Sequence, residues 1–275
     1  MANYRLEIQY DGTRYNGWQR QPDTDNTIQG KLEDVLSRMV PDSPYPIQLI
    51  SAGRTDAGVH ALAQICNIHL ETELSCSEIR TYLNAYLPED IGVISVVPAG
   101  ERFHARLNAQ GKTYCYRIAV DPARHVLERK YMTPLSEIIA RLEANGAKGL
   151  PFPPNQDAVM RLSTGAFDLS AMQAAADLLC GTHDFAGFTS RKMKKSTVRT
   201  IQSVRIETPP GEVRLSFTGD GFLYNMVRIL TGTLWEAAFH LRTPDSVSHI
   251  LSQKNRNLAG FTAPAKGLIL KEVYY

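Results

Sequence analysis

The chain lacks the segments and motifs that mark several large classes of protein. None of its apolar stretches reaches the roughly 18 residues needed to cross a bilayer, so no membrane-spanning segment is predicted. The first residues have no apolar core of the kind found in a signal peptide. The phosphate-binding loop, the H-E-x-x-H zinc motif, the G-x-S-x-G nucleophile elbow and the G-x-G-x-x-G dinucleotide fingerprint are also missing. The candidates that remain for chemistry are a carboxylate, arginines and tyrosines.

Cysteine is scarce and shows no pairing pattern. The four cysteines, Cys66, Cys76, Cys115 and Cys180, are scattered, with no C-x-x-C spacing. This pattern favours buried thiols in a reducing cytoplasm over a disulfide framework. No cluster of histidine and cysteine has the spacing of zinc ligands, so no metal site is predicted.

Net charge is also small, at +2 for 275 residues, and does not by itself indicate a nucleic-acid-binding protein. Its distribution is more informative, because two groups of basic residues have almost no acidic neighbours. The first group is Arg191, Lys192, Lys194, Lys195, Arg199 and Arg205, and the second is Arg102, Arg106, Lys112 and Arg117. Such local positive surfaces can bind a phosphate backbone, although a solvated loop can have the same composition.

The most specific local feature is the segment 52–60, with the sequence AGRTDAGVH. Its one carboxylate, Asp56, lies between Arg54 and His60. The glycines beside it permit a sharp turn, and the apolar segments before and after it are predicted strands, so the carboxylate is expected on a short loop at a sheet edge. The local pattern leaves two interpretations open, a catalytic carboxylate or a hairpin turn capped by an aspartate.

Two further features could act with that carboxylate. Arg228 lies in an apolar helical stretch, where burial of its charge would be costly without a partner. An aspartate that acts as a nucleophile in a closed site needs such a cation to stay ionised and oriented. Tyr114 and Tyr116 are two residues apart and share one strand face, where a ring could stack on a base, although a core position is the commoner role of tyrosine.

The periodicity of apolar residues predicts an α+β protein. We expect two ferredoxin-like halves forming a mixed antiparallel sheet, with helices on the faces and a central catalytic cleft. The N-terminal half is predicted over residues 1–120 and the C-terminal half over residues 168–275. Residues 121–167 are expected to form a linker or insertion, because the glycines and prolines of 144–154 break any periodicity.

The same periodicity places the individual elements. Strands are predicted near 4–10, 46–52, 61–70, 91–97, 112–120, 199–207, 212–219 and 268–274. Helices are predicted near 27–40, 76–86, 135–143, 168–180, 222–240 and 244–253.

Eight motifs, spread over both halves, form one ordered set. They are Asp11–Arg20, Thr27–Glu33, Ala52–His60, Phe103–Arg106, Lys112–Tyr116, Gly181–Phe185, Phe222–Arg228 and Ala263–Leu268. In this order they closely resemble the motifs of the tRNA pseudouridine synthases of the TruA type. Segment 121–167 is longer than in familiar forms of that family and carries none of these motifs.

The resemblance implies a cofactor-free isomerase that converts uridine to pseudouridine at positions 38, 39 and 40 of the tRNA anticodon stem-loop. It implies that Asp56 is the nucleophile, that Arg228 forms an ion pair with Asp56, and that Tyr114 contacts the flipped-out base. Arg54 would help to extrude the target nucleotide. It also implies a homodimer that binds tRNA. The residues expected to bind RNA are Arg54, Thr55, His60, Arg106, Arg191, Lys192, Lys194, Lys195 and Arg199.

The chemistry itself leaves several routes open. A stacked uridine must be flipped out at a cost of about a few kcal/mol, which phosphate contacts would offset. The carboxylate could attack C6 of the base or C1′ of the ribose, or assist a glycal route, and Tyr114 or a water could remove the C5 proton. Two other functions compete: a non-catalytic tRNA-binding chaperone, and a glycosidase, which would need a second carboxylate near Asp56.

Overall fold

Ten strands and seven α-helices form over the residues that the computed structural model describes, which are 1–122, 125–145, 156–192 and 196–275. The α+β class is therefore confirmed. Internal contacts divide the chain into two compact units. The N-terminal unit contains Met1–Lys112 and Ile269–Tyr275, and the C-terminal unit contains Thr113–Leu268. The last strand, predicted within the C-terminal half, thus groups with the N-terminal unit.

The N-terminal unit is built on a sheet with two helices. Its strands are β1 (Ala2–Tyr10), β2 (Ile50–Ser51), β3 (His60–Leu70), β4 (Ile91–Pro98) and β10 (Leu268–Tyr274), and its helices are α1 (Ile28–Met39) and α2 (Cys76–Tyr86). The strand order is β4-β1-β3-β10, with β2 paired to β3. β1 runs antiparallel to both neighbours, whereas β10 runs parallel to β3.

Local sequence explains these elements well. Tyr4, Leu6, Ile8 and Tyr10 alternate along β1 and are all buried, which is the period of a strand with one face in the core. Helix α1 begins after Thr27, whose hydroxyl accepts from the main-chain N–H of Gly30. Helix α2 begins after Ser75, which forms a reciprocal capping box with Glu78.

The C-terminal unit combines most of β5 with four further strands and five helices. The strands are β5 (Gly111–Ala119), β6 (Thr133–Pro134), β7 (Gly181–Asp184), β8 (Val198–Glu207) and β9 (Glu212–Gly219), in the order β5-β9-β8-β7, with β6 paired to β5. The helices are α3 (Leu135–Asn145), α4 (Gln156–Thr164), α5 (Leu169–Asp177), α6 (Met226–Ala238) and α7 (Ser246–Gln253).

Helix α6 is the central helix of this unit. Twelve of its 13 residues are buried, and the exception is Arg228. A helix that is apolar on all sides belongs in a core. Arg228 is therefore the one residue of this helix that is not buried, whereas the other charged residue, Glu236, is buried and paired with Arg242.

Two predicted elements differ most from the structure. The strand predicted over 46–52 is limited to Ile50–Ser51. Pro46 has no N–H to donate to a ladder, and Leu49 N donates to the Glu33 side chain rather than to a strand. Helix α6 begins at Met226 and not at Phe222, because Asn225 adopts a left-handed backbone with φ 59° that a continuous helix does not permit.

Three elements were not predicted at all, namely strands β6 and β7 and helix α4. The two strands are only two and four residues long, which is too short to show a period, and the nine residues of α4 fall in the segment that was interpreted as a linker. Helices α3 and α4 both lie within the predicted linker 121–167, whose glycine- and proline-rich stretch falls largely outside the described residues. Among the described residues, no helix is long and apolar enough to span a membrane.

Candidate active site

The loop that carries Asp56 joins β2 to β3 in the N-terminal unit and is fixed by main-chain hydrogen bonds. Trp18 N donates to Thr55 O at 3.1 Å, and Gly58 N donates to Tyr15 O at 3.3 Å. Both partners lie in the segment that follows β1. Asp56 is half-buried on this loop, and the neighbouring Arg54 is exposed. The carboxylate therefore sits on a rigid turn at the end of a strand, as the sequence predicted.

Glycine is required where the two segments meet. A Cβ on Gly12 would lie 2.0 Å from Val59 O, and a Cβ on Gly17 would lie 2.8 Å from Thr55 O. Gly17 also has φ +92°, a conformation that L side chains rarely adopt. The D-G-x-x-Y-x-G-W motif is thus the packing partner of the Asp56 loop, which gives a physical reason for both motifs.

Two predicted RNA-binding residues are buried supports of this loop. Thr55 is 6% exposed, and its hydroxyl is 2.7 Å from the hydroxyl of Tyr10. His60 is 2% exposed; its Nδ1 accepts from Gly12 N at 3.1 Å and lies 3.2 Å from Asp11 Oδ1. Burial raises the pKa of Tyr10, which keeps its hydroxyl protonated at neutral pH. In this conformation Thr55 and His60 hold the loop and offer almost no surface to a ligand.

Two side chains that sequence reasoning did not assign to the loop hold its first residues. Lys112 Nζ donates to Ala52 O at 2.7 Å, and Gln64 Nε2 donates to Gly53 O at 2.9 Å. Lys112 was noted for its charge and as the first residue of the Lys112–Tyr116 motif, but not as a support of this loop, and no sequence signal distinguishes Gln64 from any other strand residue.

Arg228 has its guanidinium oriented by two acceptors within the C-terminal unit. Its Nε donates to Ala263 O at 2.7 Å, and its Nη1 donates to Asn225 Oδ1 at 2.9 Å. The main chain of Ala263 also donates to Arg228 O at 3.1 Å. Arg228 is half-buried, and its side chain therefore has a defined direction, which a freely rotating surface arginine would not have.

The two tyrosines of β5 have different surroundings. Tyr114 is 7% exposed, and its ring meets Phe222 edge-on, with centroids 5.3 Å apart. Tyr116 is fully buried, with its hydroxyl donating to Pro264 O at 2.7 Å. Burial raises the pKa of Tyr116. Both tyrosines are buried in this conformation; Tyr116 is a core tyrosine, and contact of Tyr114 with the base stays a prediction.

A basic cavity of about 730 Å³ lies in the C-terminal unit. Its charged lining consists of Arg191, Lys192, Lys254, Arg256 and Asp184. The one carboxylate is already paired, because Asp184 is 2.9 Å from Lys254 Nζ. The Thr197 hydroxyl and then the Lys254 ammonium lower the pKa of Asp184, so it remains ionised at neutral pH. Four cations against one carboxylate leave the cavity positive.

This cavity contains part of the predicted RNA-binding group. Arg191 and Lys192 line it, whereas Lys194 and Lys195 lie outside the described residues. Arg199 is half-buried and donates to Ser196 O and Val198 O. In the N-terminal unit, Arg106 is exposed.

Sequence reasoning did not find Lys254 and Arg256. They lie far along the chain from Arg191, and only tertiary structure places them in the same wall.

The cysteines have different degrees of burial. All four cysteines are free thiols; Cys66 is buried, and burial raises its pKa, whereas Cys76, Cys115 and Cys180 are half-buried. The expectation of buried thiols thus holds fully for Cys66 alone. Within the described ranges, no group of three or more His, Cys, Asp and Glu side chains could hold a metal ion.

Comparison with known proteins gives one consistent family. The family model described as tRNA pseudouridine synthase matches residues 7–108 and 175–275. The tRNA pseudouridine synthase A of Bacillus sp. (strain KSM-64) is 41% identical over 276 residues, covering 100% of both chains. The tRNA pseudouridine synthase A 1 of Clostridium tetani is 39% identical, and the tRNA pseudouridine synthase A 2 of Bacillus cereus is 37% identical, each again covering 100% of both chains.

Proposed function

The chain belongs to the tRNA pseudouridine synthase family, and we propose that it acts on uridines 38, 39 and 40 of the anticodon stem-loop, with Asp56 as the nucleophile. The family makes the protein an isomerase whose substrate is tRNA. The reaction breaks the bond between C1′ and N1 of uridine, rotates the uracil and forms a bond between C1′ and C5. The proton lost from C5 is balanced by one gained at N1, so no redox cofactor is required.

The observation that carries the proposal is the geometry of the Asp56 loop. Asp56 is half-buried on a turn that main-chain hydrogen bonds and glycine contacts hold in place. A nucleophile is effective when its position is fixed before the substrate arrives. Arg54 is exposed two residues away, which suits the proposed role of extruding the target nucleotide and filling its place.

The other proposed roles use residues of the C-terminal unit. Arg228 would pair with the Asp56 carboxylate and keep it ionised in a site from which water is excluded. Its guanidinium is already oriented by Asn225 and Ala263, so little side-chain entropy would be lost on pairing. Tyr114 would contact the flipped base, and either Tyr114 or a water would take the C5 proton.

The basic cavity supports binding of the tRNA backbone. Arg191, Lys192, Lys254 and Arg256 could neutralise phosphates and thereby offset the cost of base flipping. Arg54 and Arg106 would add contacts from the N-terminal unit. We propose in addition that the protein acts as a homodimer in the cytoplasm, and analytical ultracentrifugation of the full chain tests the oligomeric state.

The experiment that tests the function measures tritium release from tRNA containing 5-tritiated uridine. Wild type is expected to release tritium, and Asp56→Asn is expected to lose at least about a thousandfold in rate, because only binding and positioning remain. Asp34→Asn, an exposed aspartate on α1, is the matched control and should keep the wild-type rate. Transcripts with uridine at only one of positions 38, 39 and 40 test the site of modification.

The two competing functions give different results in the same assay. Wild type that binds tRNA but releases no tritium would be a chaperone. Release of free uracil without pseudouridine in the nucleoside digest would indicate a glycosidase. Full activity of Asp56→Asn would show that Asp56 is not the nucleophile.

A further inference from the structure

Asn225 has a backbone and a side chain that the start of a helix does not explain. It is the N-cap residue of α6, with φ 59° and ψ 5°, a left-handed conformation that asparagine tolerates better than most residues. An asparagine at this position usually accepts from a main-chain N–H of the first turn. Asn225 makes no such cap bond. Its amide is therefore available for another purpose.

The amide joins Arg228 to Ser190. Asn225 Oδ1 accepts from Arg228 Nη1 at 2.9 Å, and Asn225 Nδ2 donates to Ser190 Oγ at 2.7 Å. Arginine has only donors, so the carbonyl side of the amide must face it and the NH₂ side must face the serine. Ser190 Oγ thus accepts from Asn225, and its own proton points elsewhere.

Ser190 lies in the wall of the basic cavity, next to Arg191 and Lys192. This wall is tied to the start of α6 by further contacts: Thr189 Oγ1 donates to Tyr224 O at 3.0 Å, and the Arg191 guanidinium lies 4.8 Å from the centre of the Tyr224 ring. The cavity wall and the Arg228 guanidinium are therefore connected through two consecutive residues, 224 and 225.

We propose that Asn225 is a positioning residue, which orients Arg228 for catalysis and couples that orientation to an RNA phosphodiester bound in the basic cavity. The inference rests on the proposed function, since it assumes that Arg228 pairs with the nucleophile. A phosphate oxygen in the cavity would accept the Ser190 proton. Hydrogen bonds in a chain polarise one another, so an occupied cavity would strengthen the bond from Asn225 to Ser190 and hold the amide against Arg228.

Substitution of Asn225 by glycine distinguishes the positioning role of the amide from a purely structural role of the left-handed backbone. Asn225→Gly keeps the left-handed backbone without strain and removes the amide together with the Cβ. Asn225→Ala removes the amide but keeps a Cβ at positive φ, where alanine is strained. The difference in melting temperature between these two variants measures the backbone contribution alone.

The test uses the full chain with 5-tritiated tRNA and measures the saturating rate, KM and melting temperature. Asn225→Gly should lower the saturating rate about tenfold to a hundredfold with KM within about twofold, because an oriented charge-assisted hydrogen bond is lost. Asn225→Asp should also be slow, because a carboxylate beside Arg228 competes for the guanidinium. In an Arg228→Lys background, Asn225→Gly should change the rate less than about twofold, since both changes remove one interaction.

Three outcomes would overturn the inference. The first is a wild-type saturating rate for Asn225→Gly. The second is that Asn225→Gly lowers the rate by the same factor in the Arg228→Lys background as in wild type. The third is that Asn225→Gly changes KM and leaves the saturating rate unchanged. If Asn225→Gly does not fold, Ser190→Ala, which alters an exposed hydroxyl, replaces it, and an unchanged saturating rate then contradicts the coupling. A wild-type protein without tritium release would refute the proposed function, whereas an active wild type with a neutral Asn225→Gly would refute only this inference.

Discussion

In the N-terminal unit the Asp56 loop is packed main chain against main chain, with side-chain bonds from Lys112 and Gln64 added at its first residues. In the C-terminal unit the Arg228 guanidinium and the basic cavity depend on side-chain contacts. Thr55 and Gly58 bond to the segment after β1 through their backbone, and Gly12 lies against the main chain of Val59. Arg228 is held through Asn225 and Ala263, and Asp184 is held through Lys254.

The difference has a physical consequence for mutation. Main-chain contacts at van der Waals distance leave no space for adjustment, so an added atom must move the backbone. A side-chain hydrogen bond can be lost singly while the rest of the fold stays in place. Substitutions where the Asp56 loop packs should therefore cause a large loss of stability and activity at once. Substitutions around Arg228 and the basic cavity should each cause a smaller, separate loss.

The largest effect is expected for Gly12→Ala, which tests the main-chain side of this comparison. The new Cβ would lie 2.0 Å from Val59 O, so the Asp56 loop must move. We expect a loss of about 3 kcal/mol or more in the free energy of unfolding, measured with urea, together with loss of tritium release.

Gly100→Ala is the matched control, since a Cβ there meets nothing within 4 Å. It should leave both stability and activity close to wild type. A stable, active Gly12→Ala protein would show that the loop can shift, and the comparison would then be wrong.

A graded effect is expected for the cations of the cavity. Lys254→Gln and Arg191→Gln should each weaken tRNA binding and reduce the slope of log K against log salt by about 0.7 to 1, because each removes one phosphate contact. Filter binding at several salt concentrations measures the slope.

Lys271→Gln, an exposed lysine of β10 in the other unit, serves as control and should leave the slope unchanged. If the slope of log K against log salt is the same for all three variants and wild type, the cavity is not part of the RNA-binding surface.

The smallest effect is expected for Asp184→Asn. The pKa of Asp184 is lowered in the fold by the Thr197 hydroxyl and then by Lys254. Its ionised form therefore stabilises the fold fully above the unfolded-state pKa, and this contribution is lost as pH falls through the lower folded pKa. At pH 7 the free energy of unfolding of wild type should exceed that of Asp184→Asn by about 0.5 kcal/mol. The difference is small because the pair of Asp184 and Lys254 is partly solvated.

That difference should shrink below about pH 4, which urea unfolding at several pH values can follow. A difference that stays constant down to pH 3 would mean that the Asp184 charge does not contribute.

Most of the helices and strands could be predicted because their signals are local. The alternation in β1 and the caps of α1 and α2 depend on residues within one or two turns of each other. The start of α6 could not be predicted in this way. Its sequence is mostly apolar from Phe222 onward, and it is the left-handed backbone of Asn225 that delays the helix.

The candidate site was predictable to a different extent in its two parts. Asp56, Arg54 and Arg228 stand out by residue type and by their motifs. Gln64 and Lys254 do not, and the motif that contains Asn225 gives no sign of its role. These roles come from partners far along the chain or from a backbone conformation. For Thr55 and His60 RNA contact stays a prediction, and tertiary structure adds that both side chains are buried and hold the loop.

The sequence by itself determined the α+β class, the positions of most elements and the residues that identify the family, because periodicity, caps and ordered motifs are properties of the chain. Tertiary structure alone decided which atoms hold the Asp56 loop, which cations share the cavity with Arg191, and which amide orients Arg228. Those facts depend on distances of a few ångströms between residues far apart in sequence, and such distances exist only once the two units have folded.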